Sequence, residues 1–129
     1  MNLLLWIVQG LLALIFLAHG LLFVTLTPAR IEKMAKKRKP NAPPPPKMPN
    51  WLLKLIGTSE ILAAPGLILP VATGILPWLT PLAAFGLAIT MLGAVALHAK
   101  RREVAETGAT VLLLLLSLLV IVMRWPTAS

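Results

Sequence analysis

The feature that most constrains this chain is a long apolar run near its start. From Leu3 to about Leu26 the only polar interruptions are Gln9, His19 and Thr25. A run longer than the roughly 20 residues needed to cross a bilayer predicts a membrane-spanning helix. No basic residue precedes it and no small-x-small site leads from it into a soluble domain, so a retained helix is expected rather than a cleaved signal peptide. Three further spans follow, at residues 51–69, 78–98 and 109–123, with the first at residues 3–26. Lipid-exposed loops are excluded at these lengths, because an unpaired backbone group in hydrocarbon costs several kcal/mol. The expected fold is therefore all-α: an integral membrane bundle of four transmembrane helices, one domain over residues 1–129.

Composition points the same way. The chain is 58% hydrophobic and 12% charged, where soluble domains run at roughly 45–50% and about 25%. A soluble enzyme is excluded on that ground. The chain has no cysteine, which removes disulfides, thiolate chemistry and Cys-ligated metal centres, so any redox role needs an external cofactor.

A net charge of +8 would suggest nucleic acid in a soluble protein, but the positions of the charges decide otherwise. Residues 28–50 carry Arg30, Lys33, Lys36, Lys37, Arg38, Lys39 and Lys47 against the single acid Glu32. Ala29 to Lys39 is expected to form a short basic interfacial helix with Pro28 in its first turn. Pro40 and the Pro43 to Pro46 run then stop it and predict a stiff polyproline spacer. The loop between spans two and three is uncharged, whereas the last loop carries Lys100, Arg101 and Arg102 beside Glu103 and Glu106. With Lys54, eleven of the twelve basic residues lie at one membrane face, leaving Arg124 at the other. The positive-inside rule makes that face cytoplasmic and places both termini outside, in a bacterial inner membrane. Trp6, Trp78 and Trp125 then fall at the outer interface and Trp51 at the inner one. The expected counterions of Lys33, Lys36, Lys37, Arg38, Lys39, Lys100, Arg101 and Arg102 are anionic lipid headgroups, and no nucleic-acid partner is expected.

Inside the spans, Glu60 stands out. It lies about nine residues into the second span, about 13 Å from its basic end at a rise of 1.5 Å per residue. A carboxylate at that depth faces the bundle interior and marks a functional candidate or a buried hydrogen-bonding group. Gly57, Ala63 and Ala64 flank its face, predicting a closely packed partner helix. His19 runs the other way at a similar depth, about 10 Å from the same end. The two are expected to meet between the first two spans, with quinone or proton handling as the chemistry such a pair would support. His98 is expected at the boundary beside the basic loop. It should lie one or two turns from the level of His19, so bis-histidine haem ligation is not expected, and no ligand spacing supports a metal. In the third span, Gly86, Thr90, Gly93 and Ala94 form a small-residue stripe expected to pack at the bundle centre or against another subunit. Pro65 should bend the second span. No phosphate loop, HExxH, GxSxG or carboxylate pair is present, so no catalytic residue is assigned.

Trp51-Leu52-Leu53-Lys54-Leu55-Ile56-Gly57, Glu60-Ile61-Leu62 and Gly66-Leu67-Ile68-Leu69-Pro70 form one group of short motifs. A second is the stretch Leu87 to Val95 ending in His98, and a third is Gly20-Leu21-Leu22 before a basic connector. Together they resemble the DoxX-like family of small four-helix bacterial membrane proteins. That resemblance implies a four-helix fold, similarity to a subunit of an archaeal thiosulfate:quinone oxidoreductase, and links to membrane oxidoreductase assemblies. Gly57, Glu60 and His98 carry over as family-like positions without assigned roles, and the long proline connector departs from the usual compact first loop. The expected function is a non-catalytic accessory subunit of a larger energy-conversion complex, respiratory or photosynthetic, packed against other membrane subunits. The alternative is a quinone-linked oxidoreductase component using Glu60 and His19, with quinone as the one cofactor it would take.

Overall fold

The computed structural model describes residues 2–41 and 49–128, so the proline run Pro43 to Pro46 and Lys47 lie outside the described residues. Five helices follow in order: α1 (Asn2–Thr25), α2 (Pro28–Arg38), α3 (Asn50–Thr73), α4 (Leu79–Lys100) and α5 (Val104–Ala128). All but α2 are long and apolar enough to cross a membrane. The four spans form an antiparallel bundle in which α1 packs on α3, α3 on α4, α4 on α5, and α5 closes back on α1. One end of the bundle gathers the basic segments. The other holds the start of α1 and the end of α5.

Three spans end later than their apolar runs, for identifiable reasons. The second span was expected to end at residue 69, and the ring of Pro70 leaves the carbonyl of Gly66 without a backbone donor. Instead α3 continues to Thr73, because the Thr80 hydroxyl donates to that carbonyl at 3.0 Å. The left-handed Gly74, with φ of 71°, then ends the helix, a geometry glycine adopts without steric cost. Helix α5 was expected at residues 109–123 but covers Val104–Ala128. Glu106 in its first turn is a favoured helix start rather than a boundary, and Arg124 is buried inside the helix rather than ending it. Helix α4 runs two residues past His98 to Lys100, so cations occupy its last turn, again the favoured sign.

Helix α2 is close to its expected limits. Thr27 caps it, its hydroxyl accepting from the Arg30 amide at 3.3 Å, with Pro28 in the first turn. None of its residues is buried.

The core is a column of Leu5, Val8, Leu12 and Phe16 on α1 against Leu67 on α3, Ala84, Leu87 and Met91 on α4, and Val120 on α5. The small-residue stripe does not form its centre. Gly86 and Gly93 have no atom within 4 Å of where a side chain would begin, although Ala94 packs partly against the core and Thr90 donates back to the Gly86 carbonyl at 3.1 Å. Small spacing permits close approach but does not say which helix will approach. Here α4 turns Thr80, Pro81, Ala84, Leu87, Ala88 and Met91 inward instead. Close approach occurs between α1 and α3. A Cβ added to Gly20 would stand 2.7 Å from the Gly57 carbonyl oxygen, and one added to Gly57 would stand 2.8 Å from that of Gly20.

Candidate functional site

The Gly20–Gly57 contact lies one residue from His19 on α1 and three residues, about one turn, from Glu60 on α3. With the backbones this close, the two side chains lie within reach of each other. His19 Nδ1 and Glu60 Oε2 share a hydrogen bond of 2.6 Å, whose direction follows the imidazole tautomer. Glu60 is 1% exposed, while the imidazole is 42% exposed and stands between the carboxylate and the surface of the bundle. Phe23, one turn on, packs against the ring with centroids 4.2 Å apart. The other carboxylate oxygen, Glu60 Oε1, is buried with no partner among the described residues. A hydrogen bond of this length to a carboxyl group is at the strong end of the range. It lowers the cost of burying either group in hydrocarbon.

Lys54 lies about two turns nearer the basic end than Glu60. Its ammonium was counted among the loop charges, but Nζ donates to the carbonyls of Val24 and of Leu26, the latter at 3.4 Å. It thereby satisfies the orphan acceptors at the end of α1 and complements that helix's negative terminus.

His98 sits at the end of α4, where its Nδ1 is 3.0 Å from Glu103 Oε1, and Arg101 Nε donates to the same oxygen at 3.0 Å. The His98 hydrogen bond, followed by that of Arg101, holds the Glu103 carboxyl below the usual glutamate range despite partial burial. This arrangement ties the turn between α4 and α5, where Arg102 adopts a φ of 57°. Lys39 reaches across to Glu106 Oε1 at 2.9 Å, joining the end of α2 to the start of α5. Lys33, Lys36, Lys37, Arg38, Lys100 and Arg102 are exposed. The two histidines are therefore engaged by different carboxylates.

A second polar cluster, at the opposite end, was missed. Gln9 is fully buried. Its amide donates to the Leu67 carbonyl at 2.5 Å and accepts from Arg124 Nε at 2.7 Å. The guanidinium carbon of Arg124 lies 4.6 Å from the centroid of the Trp6 ring. The signal was present in the sequence as a lone amide in an apolar run and a lone cation at one face. Each reads as an incidental interruption until the fold places α5 beside α1.

The profile of the DoxX-like family matches residues 7–120. The chain belongs to the DoxX-like family. The matched range of this DoxX-like protein contains Gly20, Gly57, His19, Glu60 and His98, and stops before Arg124. No significant match to a curated protein or to a solved structure is found.

Proposed function

We propose that this DoxX-like membrane protein is a component of a quinone-linked oxidoreductase assembly, in which His19 and Glu60 handle the proton. The observation that carries this reading is a buried carboxylate whose route to the bundle surface is a half-exposed imidazole. Apart from its bond to Glu60, the ring has no hydrogen-bond partner among the described residues, so when Nδ1 accepts from a protonated Glu60 the Nε2–H is available to a carbonyl oxygen arriving from the lipid phase. A quinone headgroup presents such an acceptor and supplies a two-electron, two-proton couple. His19 orients the headgroup and gives or takes a proton at Nε2. Glu60 Oε2 exchanges the compensating proton at Nδ1, so the imidazole need not hold a lasting charge in a region where charge is costly. The surrounding apolar surface keeps bulk water away from the exchange. The electrons come from a partner subunit of the assembly, as the chain has no cysteine to supply a thiol redox centre.

Replacing Glu60 with Gln retains the shape and a hydrogen-bond acceptor but removes the proton site. Quinone-dependent turnover of the assembly in native membranes should fall at least about tenfold, typical of losing a proton-transfer group, with the assembly intact. Unchanged turnover would sink the reading. A second reading, a purely accessory subunit, draws on the outward face of α4, where Gly86 and Gly93 leave room for a neighbouring helix. Co-purification in mild detergent separates it from a free protein: isolation only as a monomer would count against any assembly role. The concentration of basic residues at one end supports a cytoplasmic placement for that end in a bacterial inner membrane, with anionic headgroups against it.

A further inference from the structure

The structure holds a buried cation with no Asp or Glu beside it among the described residues. Arg124 is 6% exposed. Its Nε is used by Gln9 and its face lies over Trp6, but Nη2 is buried with no partner among the described residues. A guanidinium keeps its proton in proteins, so burying it without a counter-charge is expensive. The four acids are all accounted for elsewhere: Glu60 with His19, Glu103 with His98 and Arg101, Glu106 with Lys39, and Glu32 on the exposed surface of α2. Glu32 on α2, Glu103 between α4 and α5, and Glu106 in the first turn of α5 lie at the basic end, and Glu60 lies seven residues from the Gln9 contact at Leu67, about 10 Å along the helix.

The side chain is also oriented against expectation. Arg124 is next to last in the span Val104–Trp125. An arginine there ordinarily extends to the headgroup level, yet this one is held within the bundle by Gln9, whose amide is locked in register by the Leu67 carbonyl. Gln9 and Trp6 thus fix the plane of the fork and leave one edge unspent. Such preorganisation lowers the entropic cost of capturing an acceptor. The acceptor must bring negative charge and must come from the membrane boundary, where the half-buried Trp6 and the exposed Trp78 and Trp125 mark the headgroup level.

We propose that Gln9, Arg124 and Trp6 form a phosphate site, filled by the phosphodiester of an anionic phospholipid at the end of the bundle opposite the basic loops. A planar fork suits phosphate better than a point charge would.

The test uses the full chain purified in detergent, with phosphatidylglycerol, a phosphate-free glycolipid or inorganic phosphate added, and reads retained lipid by native mass spectrometry together with the thermal midpoint. The wild type should hold phosphatidylglycerol about tenfold more tightly than Arg124→Gln, and the difference should persist in a Lys36→Gln, Lys37→Gln background that weakens lipid binding at the basic end. Arg124→Lys keeps the charge for folding but loses the fork, and should also bind more weakly. Stabilisation by inorganic phosphate alone, lost in Arg124→Gln, would support the same site with a soluble source. Equal retention by the wild type and both Arg124 variants, or equal response to the glycolipid, would overturn the proposal.

Discussion

Two polar clusters lie in one bundle, and they are built oppositely. At the basic end, Glu60 and His19 neutralise each other's burial cost through a direct bond, and the imidazole opens to the surface. At the other end, Gln9 and Arg124 meet through a neutral amide, which uses Nε but leaves Nη2 without a partner among the described residues and the positive charge standing. The first pairs its two titratable groups with each other, leaves Glu60 Oε1 without a partner among the described residues and exposes an imidazole edge. The second holds a cation with no opposite charge beside it among the described residues. In hydrocarbon, where an uncompensated charge costs more than an unmade neutral hydrogen bond, that difference separates a site suited to exchanging protons from one suited to holding an anion.

The comparison can be broken most sharply at His19. His19→Ala strands the Glu60 carboxylate and should destabilise the bundle by about 3 kcal/mol, the range for removing one partner of a buried pair. Adding Glu60→Gln should recover part of that loss, and equal stability of the single and double variants in detergent unfolding would contradict the ion-pair account. At the other end, Gln9→Met keeps the volume while removing a hydrogen bond to a charged group, for a loss of about 2 kcal/mol. If that loss equals the one at His19, the distinction between the clusters fails. Thr80→Val strips the hydroxyl from the Gly66 carbonyl and should cost about 1 kcal/mol, seen as faster amide exchange beyond Pro70 rather than through α3 as a whole.

The smallest effect concerns the turn at Glu103, outside both clusters. Its carboxyl titrates below the usual range, so the stabilisation is fully present above the ordinary glutamate value of 4.5 and fades as pH falls through the lowered one. The thermal difference between wild type and Glu103→Gln should be a few tenths of a kcal/mol at pH 7, as for exposed pairs, and should vanish on strong acidification. A difference that grows at low pH would reverse the sign.

Much of the basic-end site was legible because a carboxylate and a histidine are rare in apolar spans and their depths could be counted from a shared end at a fixed rise. Gly57 was legible as a small residue beside Glu60, but its match to Gly20 was not, since reciprocal contact depends on how two helices rotate about their axes. The stripe at Gly86 and Gly93 left two alternatives, the bundle centre or another subunit, and within the chain it does not form the centre: periodicity gives a face, not the neighbour it meets. The continuation of α3 past residue 69 was not legible because the donor that meets the carbonyl Pro70 leaves open, Thr80, lies on the next helix.

Length and hydropathy by themselves determined four spans, their antiparallel order and the gathering of cations at one end, because the cost of bare backbone in lipid leaves a chain this apolar no other solution. Tertiary structure alone decided which polar side chains share a partner. It set Lys54 on the end of α1, brought α5 against Gln9, and turned Arg124 from a boundary charge into a buried one, since those contacts depend on helix rotation and neighbour choice, which a one-dimensional pattern does not encode.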